Sequence, residues 1–248
     1  MKGLDTYRAH FGGSEHQYVL IGGAACDIVL TDAGLEARAT KDLDIVLCIE
    51  AVDNAFFQRL WDFIEAGGYT ARERSTGVKE FYRFHKPAQD DYPYMLELFS
   101  RKPEGVDFPP DAVLTPMPAA DEIMSLSAIL LDENYYALLQ AQKRIVDGVS
   151  VLDEKALIPF KARAHIDLRA RKEAGGDVKS DDIKKHRSDV FRLAQLLPAD
   201  AAIALAPPVA GDLDRFLELV AGDDDVKSFG DVPLQEAISR LRTAYGLA

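Results

Sequence analysis

The chain has 248 residues, 48% of them apolar; this is enough to bury the core of one large domain or two small ones and excludes a disordered or fibrous chain. Its formal net charge of −12 opposes general adhesion to nucleic acid, yet Phe160 to Arg192 holds ten Lys and Arg against six Asp and Glu, a local +4 able to hold a polyphosphate. Cys26 and Cys48, its two cysteines, fit no metal-ligand pattern, and no apolar run approaches the roughly 20 residues of a membrane span, so a disulfide framework is excluded, no membrane partner is expected and the expected location is the cytoplasm.

In chain order, Tyr18 to Ile21 predicts a strand, Gly22-Gly23 a tight turn, and Ala24 to Leu30 a helix. Asp42 to Ile49, rich in Ile, Val and Leu, predicts a second strand. An amphipathic helix follows from Val52 to Ala66 and stops at Gly67-Gly68. Two more strands are expected at Glu80 to His85 and Tyr92 to Ser100. Pro103, Pro109, Pro110, Pro116 and Pro118 then crowd a stretch that can be neither regular helix nor central strand, which puts a boundary between residues 1–118 and 119–248. Beyond it the pattern is helical: Asp121 to Leu131, Asn134 to Val146, Asp153 to Ala174, Asp181 to Leu197, Leu213 to Ala221 and Val232 to Tyr245. Ser180 is the expected N-cap of the fourth helix, and Gly175-Gly176 the stop of the third. The fold class expected is α+β, a small mixed sheet followed by a mostly α-helical C-terminal domain.

Asp42 and Asp44 sit two apart on a predicted strand, so both side chains leave one face while Leu43 and Ile45 face the other. Two carboxylates so close repel unless a cation stands between them, and Mg²⁺ bound through carboxylates and substrate phosphates is the common solution. The plainer alternative is a pair of solvated acids at a strand start. Gly22-Gly23, between a strand and a helix, would let backbone N–H groups approach a phosphate; the alternative is an ordinary turn. Glu97 interrupts the apolar run Tyr94 to Phe99 and, inside a sheet, needs a partner such as an Arg or a metal.

Gly22-Gly23, a helix, then Arg38-Ala39-Thr40-Lys41-Asp42-Leu43-Asp44-Ile45 and the strand acid Glu97 together resemble the nucleotidyltransferase superfamily of polymerase-β type, over roughly the first hundred residues. Within it, the Arg-x-Thr-x-Asp-Leu-Asp-Ile form looks most like the AbiEii-like nucleotidyltransferase toxins of toxin–antitoxin and abortive-infection systems. Pro159-Phe160-Lys161-Ala162-Arg163-Ala164 and Lys184 to Leu193 resemble that family's downstream lysine and aspartate motifs. The resemblance implies a nucleotidyltransferase core in residues 1–118 and a helical domain in 119–248 that completes the nucleotide pocket. It further implies Mg²⁺ or Mn²⁺ on Asp42, Asp44 and Glu97, and an NTP held by Gly22, Gly23, Ala24, Arg38, Thr40 and Lys161. Asp189 would help complete the pocket, so that Asp42, Asp44, Glu97, Lys161 and Asp189 form the catalytic set.

An acceptor hydroxyl would attack the α-phosphate and pyrophosphate would leave. The acceptor is left open between tRNA, another RNA, a protein hydroxyl and a small molecule, and a cognate antitoxin would be the protein partner. Ala24 departs from the Ser or Thr that many members carry after the glycines. Outside the resemblance, Lys161 reads as a surface lysine and Asp189 as the i+4 partner of Lys185. Three rival functions stay open: a nucleotide-binding module without catalysis, a metal-dependent phosphohydrolase, and a structural interaction protein.

Overall fold

A computed structural model describes residues 1–38, 40–48, 50–71, 81–99, 129–130, 132–223 and 226–247. Contacts divide the chain into two compact units, residues 1–118 with 143–152, and residues 119–142 with 153–248. The fold is α+β, as expected. Among the described residues no helix is long and apolar enough to cross a membrane.

In the first unit, α1 (Leu4–Phe11) precedes β1 (Tyr18–Ile21), which runs without a loop into α2 (Gly22–Asp32). Then come β2 (Asp42–Leu47), α3 (Asn54–Ala66), β3 (Thr70–Ala71), β4 (Phe81–His85) and β5 (Met95–Phe99); β6 (Lys143–Val146) and β7 (Val149–Leu152) return to complete the sheet. Its strand order is β3-β4-β5-β2-β1-β7-β6. β2 runs antiparallel to β1 and parallel to β5, and β1 runs parallel to β7, so the sheet is mixed. All four residues of β1 are buried, which demands cover over both faces of the strand. The cover comes from α2, which packs on β1, β2, β6 and β7, and from an aromatic cluster in which Tyr18 meets Tyr7 and Phe11 of α1, and Tyr7 meets Phe63 of α3. α3 buries Phe56, Phe57, Leu60, Phe63 and Ile64, the spacing of one helical face, and the Asp53 carboxylate caps it by accepting from the Phe56 N–H at 2.8 Å.

The β6–β7 hairpin corrects the helix expected from Asn134 to Val146, which ends instead at Ala141 as α4 (Glu133–Ala141). Asp147 and Gly148 both take positive φ, 46° and 75°, which the two-residue type I′ hairpin turn requires. The residues on either side are β-branched or long, and they pair from Lys143↔Leu152 to Val146↔Val149. The expected helix Asp121 to Leu131 lies outside the described residues except at 129–130, which are helical. The five prolines from Pro103 to Pro118 lie outside them entirely.

In the second unit, α4 is followed by α5 (Glu154–Glu173), α6 (Ser180–Ala194), α7 (Pro207–Ala221), a short hairpin of β8 (Ser228–Phe229) and β9 (Val232–Pro233), and α8 (Leu234–Tyr245). α7 starts earlier than Leu213 because Pro207 and Pro208 open it, where a missing N–H costs nothing. α6 starts at Ser180, so the N-cap is Lys179 and not Ser180. α5 is the axis of this unit, packed on α4, α6 and α7. Pro159 lies inside it and cannot supply the N–H that the Lys155 carbonyl would ordinarily accept. The Tyr245 hydroxyl of α8 donates to that carbonyl instead, at 2.9 Å.

Further along α5, His165 is 1% exposed, its Nδ1 donates to the Ile183 carbonyl at 3.0 Å, and its ring meets Phe216 edge-on. Burial pushes its imidazole down to about 4 from the usual 6.5. The unfolded chain therefore binds a proton at His165 that the folded chain refuses, so its contribution is complete above pH 6.5 and declines as pH falls to about 4. Urea unfolding across that window should show stability falling with acid more steeply in the wild type than in His165→Gln. Identical slopes would contradict the burial of a neutral imidazole.

Candidate active site

β2 carries the alternation that the sequence predicts: Leu43 and Ile45 are buried, while Asp42 and Asp44 are half-buried on the other face. The parallel pairing of β2 with β5 sets Asp44 beside Glu97 and Asp42 beside Met95. The antiparallel pairing of β5 with β4 sets Glu97 beside Arg83, and the two side chains form an ion pair. Glu97 is buried and shares a hydrogen bond with the Asp44 side chain. Burial is the largest influence on its carboxyl and raises its pKa above the ordinary value; the Asp42 charge adds to this, while Arg83 and the hydrogen bond to Asp44 oppose it.

Gly22 fixes how close Asp44 comes. It has a φ of 64°, and a Cβ built on it would fall inside the Asp44 carboxylate. Here the chain turns from β1 directly into α2, whose first turn has no side-chain cap. The first N–H groups of the helix and the positive end of its dipole therefore lie at the residue against which the carboxylate packs. A Cβ on Gly23 would stand 3.1 Å from the Thr40 hydroxyl oxygen, so Thr40 reaches the same turn. Arg38 is exposed on the segment between α2 and β2. Ala24 is fully buried in the first turn of α2, so its methyl packs in the core and only its backbone faces the turn.

All the acids here offer carboxylate oxygens, the donor type of a hard divalent ion. Among the described residues, however, no group of three or more His, Cys, Asp or Glu side chains is arranged to hold a metal ion. Strand register nevertheless makes Asp44 and Glu97 neighbours, with Asp42 on the same strand as Asp44. Mg²⁺ bound chiefly by substrate phosphates needs only one or two carboxylates, and Asp42 with Asp44 fits that requirement.

Lys161 and Asp189 belong to the second unit. The structure brings them together across α5 and α6: Lys161 Nζ donates to Asp189 Oδ2 at 2.9 Å, and the two residues are 4% and 5% exposed. Neither is a surface residue, and the partner of Asp189 across the helices is Lys161.

Arg83 is the residue of this site that the sequence reading missed. Its signal was a lone cation within Phe81 to His85, but it could be matched with Glu97 only by knowing the β4–β5 register.

No family model matches the sequence, and neither does any curated protein. Among solved structures, the chain is similar to an antigenic nucleotidyltransferase-like protein from Paracoccidioides brasiliensis, at 15% identity and a TM-score of 0.43, covering 92% of this chain and 94% of that one. It is also similar to the antibiotic-resistance factor ANT(2'')-Ia, at 14% identity and a TM-score of 0.38, covering 89% and 95%.

The packing of Asp44 on Gly22 predicts a difference between two glycines. Gly34 also has positive φ, 74°, but nothing stands near its missing Cβ. Gly34→Ala should therefore cost only the backbone strain of about 1–2 kcal/mol, and Gly22→Ala clearly more, because Asp44 must also move. Equal losses in urea unfolding would show that the carboxylate does not press on Gly22.

Proposed function

We propose that the chain is a nucleotidyltransferase that moves a nucleoside monophosphate from an NTP to an acceptor hydroxyl, with pyrophosphate as the other product. The observation that carries this reading is the Asp44 carboxylate packed on Gly22 at the uncapped start of α2, with Asp42 on the same strand face. A helix N-terminus binds phosphate, and a carboxylate pair beside it binds the divalent ion that accompanies a triphosphate. The same few residues would thus receive both halves of a metal–NTP complex.

In this reading the Gly22 and Gly23 backbone holds phosphate oxygens, with Thr40 and Arg38 beside them, and Asp42 and Asp44 hold the ion. A bound divalent ion supplies positive charge to the α-phosphate and the leaving oxygen as the P–O bond breaks. The form of the motif from Arg38 to Ile45 favours the AbiEii-like toxins within the superfamily, with a cognate antitoxin as partner and RNA as the acceptor to test first. The local +4 between Phe160 and Arg192 suits an RNA acceptor. A second reading, a nucleotide-binding module without transfer, is favoured by Ala24, whose methyl offers a phosphate nothing.

One incubation separates these readings: pure protein with Mg²⁺, each labelled NTP in turn and total cellular RNA, followed on a gel and by a pyrophosphate assay. Label on an acceptor with matching pyrophosphate is the expected result, and Asp44→Asn should abolish both. Release of inorganic phosphate would indicate the phosphohydrolase instead. A rise in Tm with Mg²⁺ and NTP but no transfer would indicate the binding module. Full transfer by Asp44→Asn would refute the proposal.

A further inference from the structure

The carboxylate cluster contains a cation of its own, and this changes how many of its acids remain for an ion. We propose that Glu97 is the counter-ion of Arg83 and not a metal ligand, so that Asp42 and Asp44 alone hold a single divalent ion. This rests on the nucleotidyltransferase reading above.

The first argument is register. Arg83 is the direct cross-strand neighbour of Glu97, so their ion pair is built into the sheet and does not depend on a flexible loop. The second is burial. The Arg83 and Glu97 side chains are 17% and 9% exposed. Drawing Glu97 away to an ion would leave a guanidinium largely shielded from water without its counter-charge. The third is arrangement: Glu97 lies beside Asp44, yet these acids do not form a three-ligand group.

Arg83 and Glu97 thus satisfy each other, and Asp44 meets Gly22 directly. No proton transfer or bond change is assigned to Arg83.

Mn²⁺ binding tests this without any turnover. The full chain is titrated with Mn²⁺ in the presence of a non-hydrolysable NTP analogue, with bound ion counted by electron paramagnetic resonance and affinity taken from calorimetry. Wild type should bind one Mn²⁺ per chain. Glu97→Gln leaves Arg83 without its partner and risks misfolding, so the decisive variant is the double Arg83→Met/Glu97→Met, which removes both charges together. It should keep Mn²⁺ affinity within about threefold of wild type, while Asp44→Asn, which removes a ligand carboxylate, should lose about tenfold or more. Two ions on the wild type, or loss in the double variant as large as in Asp44→Asn, would overturn the assignment of Glu97. No Mn²⁺ on the wild type even with the analogue would instead sink the metal-dependent reading on which the proposal rests.

Discussion

Between Ile21 and Ala24 the chain passes from an inner strand of the sheet into a helix with no loop to absorb the change of direction. The turn falls on one residue with a φ of 64°, and a side chain there would collide with the Asp44 carboxylate coming from the neighbouring strand. A single missing Cβ thus satisfies two demands, a left-handed backbone and the close approach of a charge. The rest of the site follows. With β2 antiparallel to β1, Ile21 pairs with Asp44; with β5 parallel to β2, Asp44 lies beside Glu97; with β4 antiparallel to β5, Glu97 meets Arg83. The contacts at the candidate site are sheet register carried across four strands.

Local features of this site were legible in the sequence because they depend on short spacings. Asp42 and Asp44 share a face because strands alternate, and Gly22-Gly23 marked the strand-to-helix turn. Glu97 could be seen to need a partner, an Arg or a metal, without a choice between them. What decides for Arg83 is pairing between strands distant in sequence, and no local pattern carries a register. The same limit explains why Asp44 pressing on Gly22 was invisible: each residue could be suspected alone, but their contact is a property of the sheet.

The β6–β7 hairpin shows the opposite error, a local signal passed over. The apolar spacing of α4 runs on through Val146 in the sequence, but Asp147-Gly148 between β-branched residues is a hairpin signal and outranks periodicity over so few residues. In the second unit α5, α6 and α8 lie within a few residues of where the sequence puts them, since they are long and punctuated by Asp153, Gly175 and Gly246. Lys161 and Asp189 were visible as motif residues and invisible as a pair. Their burial follows from the packing of α5 on α6, and so does that of His165 one turn beyond Lys161. A lysine in a basic segment looks solvated until a neighbouring helix covers it.

The central claim is that the turn at Gly22 and the carboxylates of β2 form one site for a metal–nucleoside triphosphate. Crystals grown with Mn²⁺ and a non-hydrolysable NTP analogue would test it most directly, by anomalous scattering at the manganese edge. The account predicts an anomalous peak within coordination distance of Asp42 and Asp44, with triphosphate oxygens on the Gly22-Gly23 backbone. An analogue and ion bound elsewhere on the chain, with that turn and those carboxylates untouched, would contradict it.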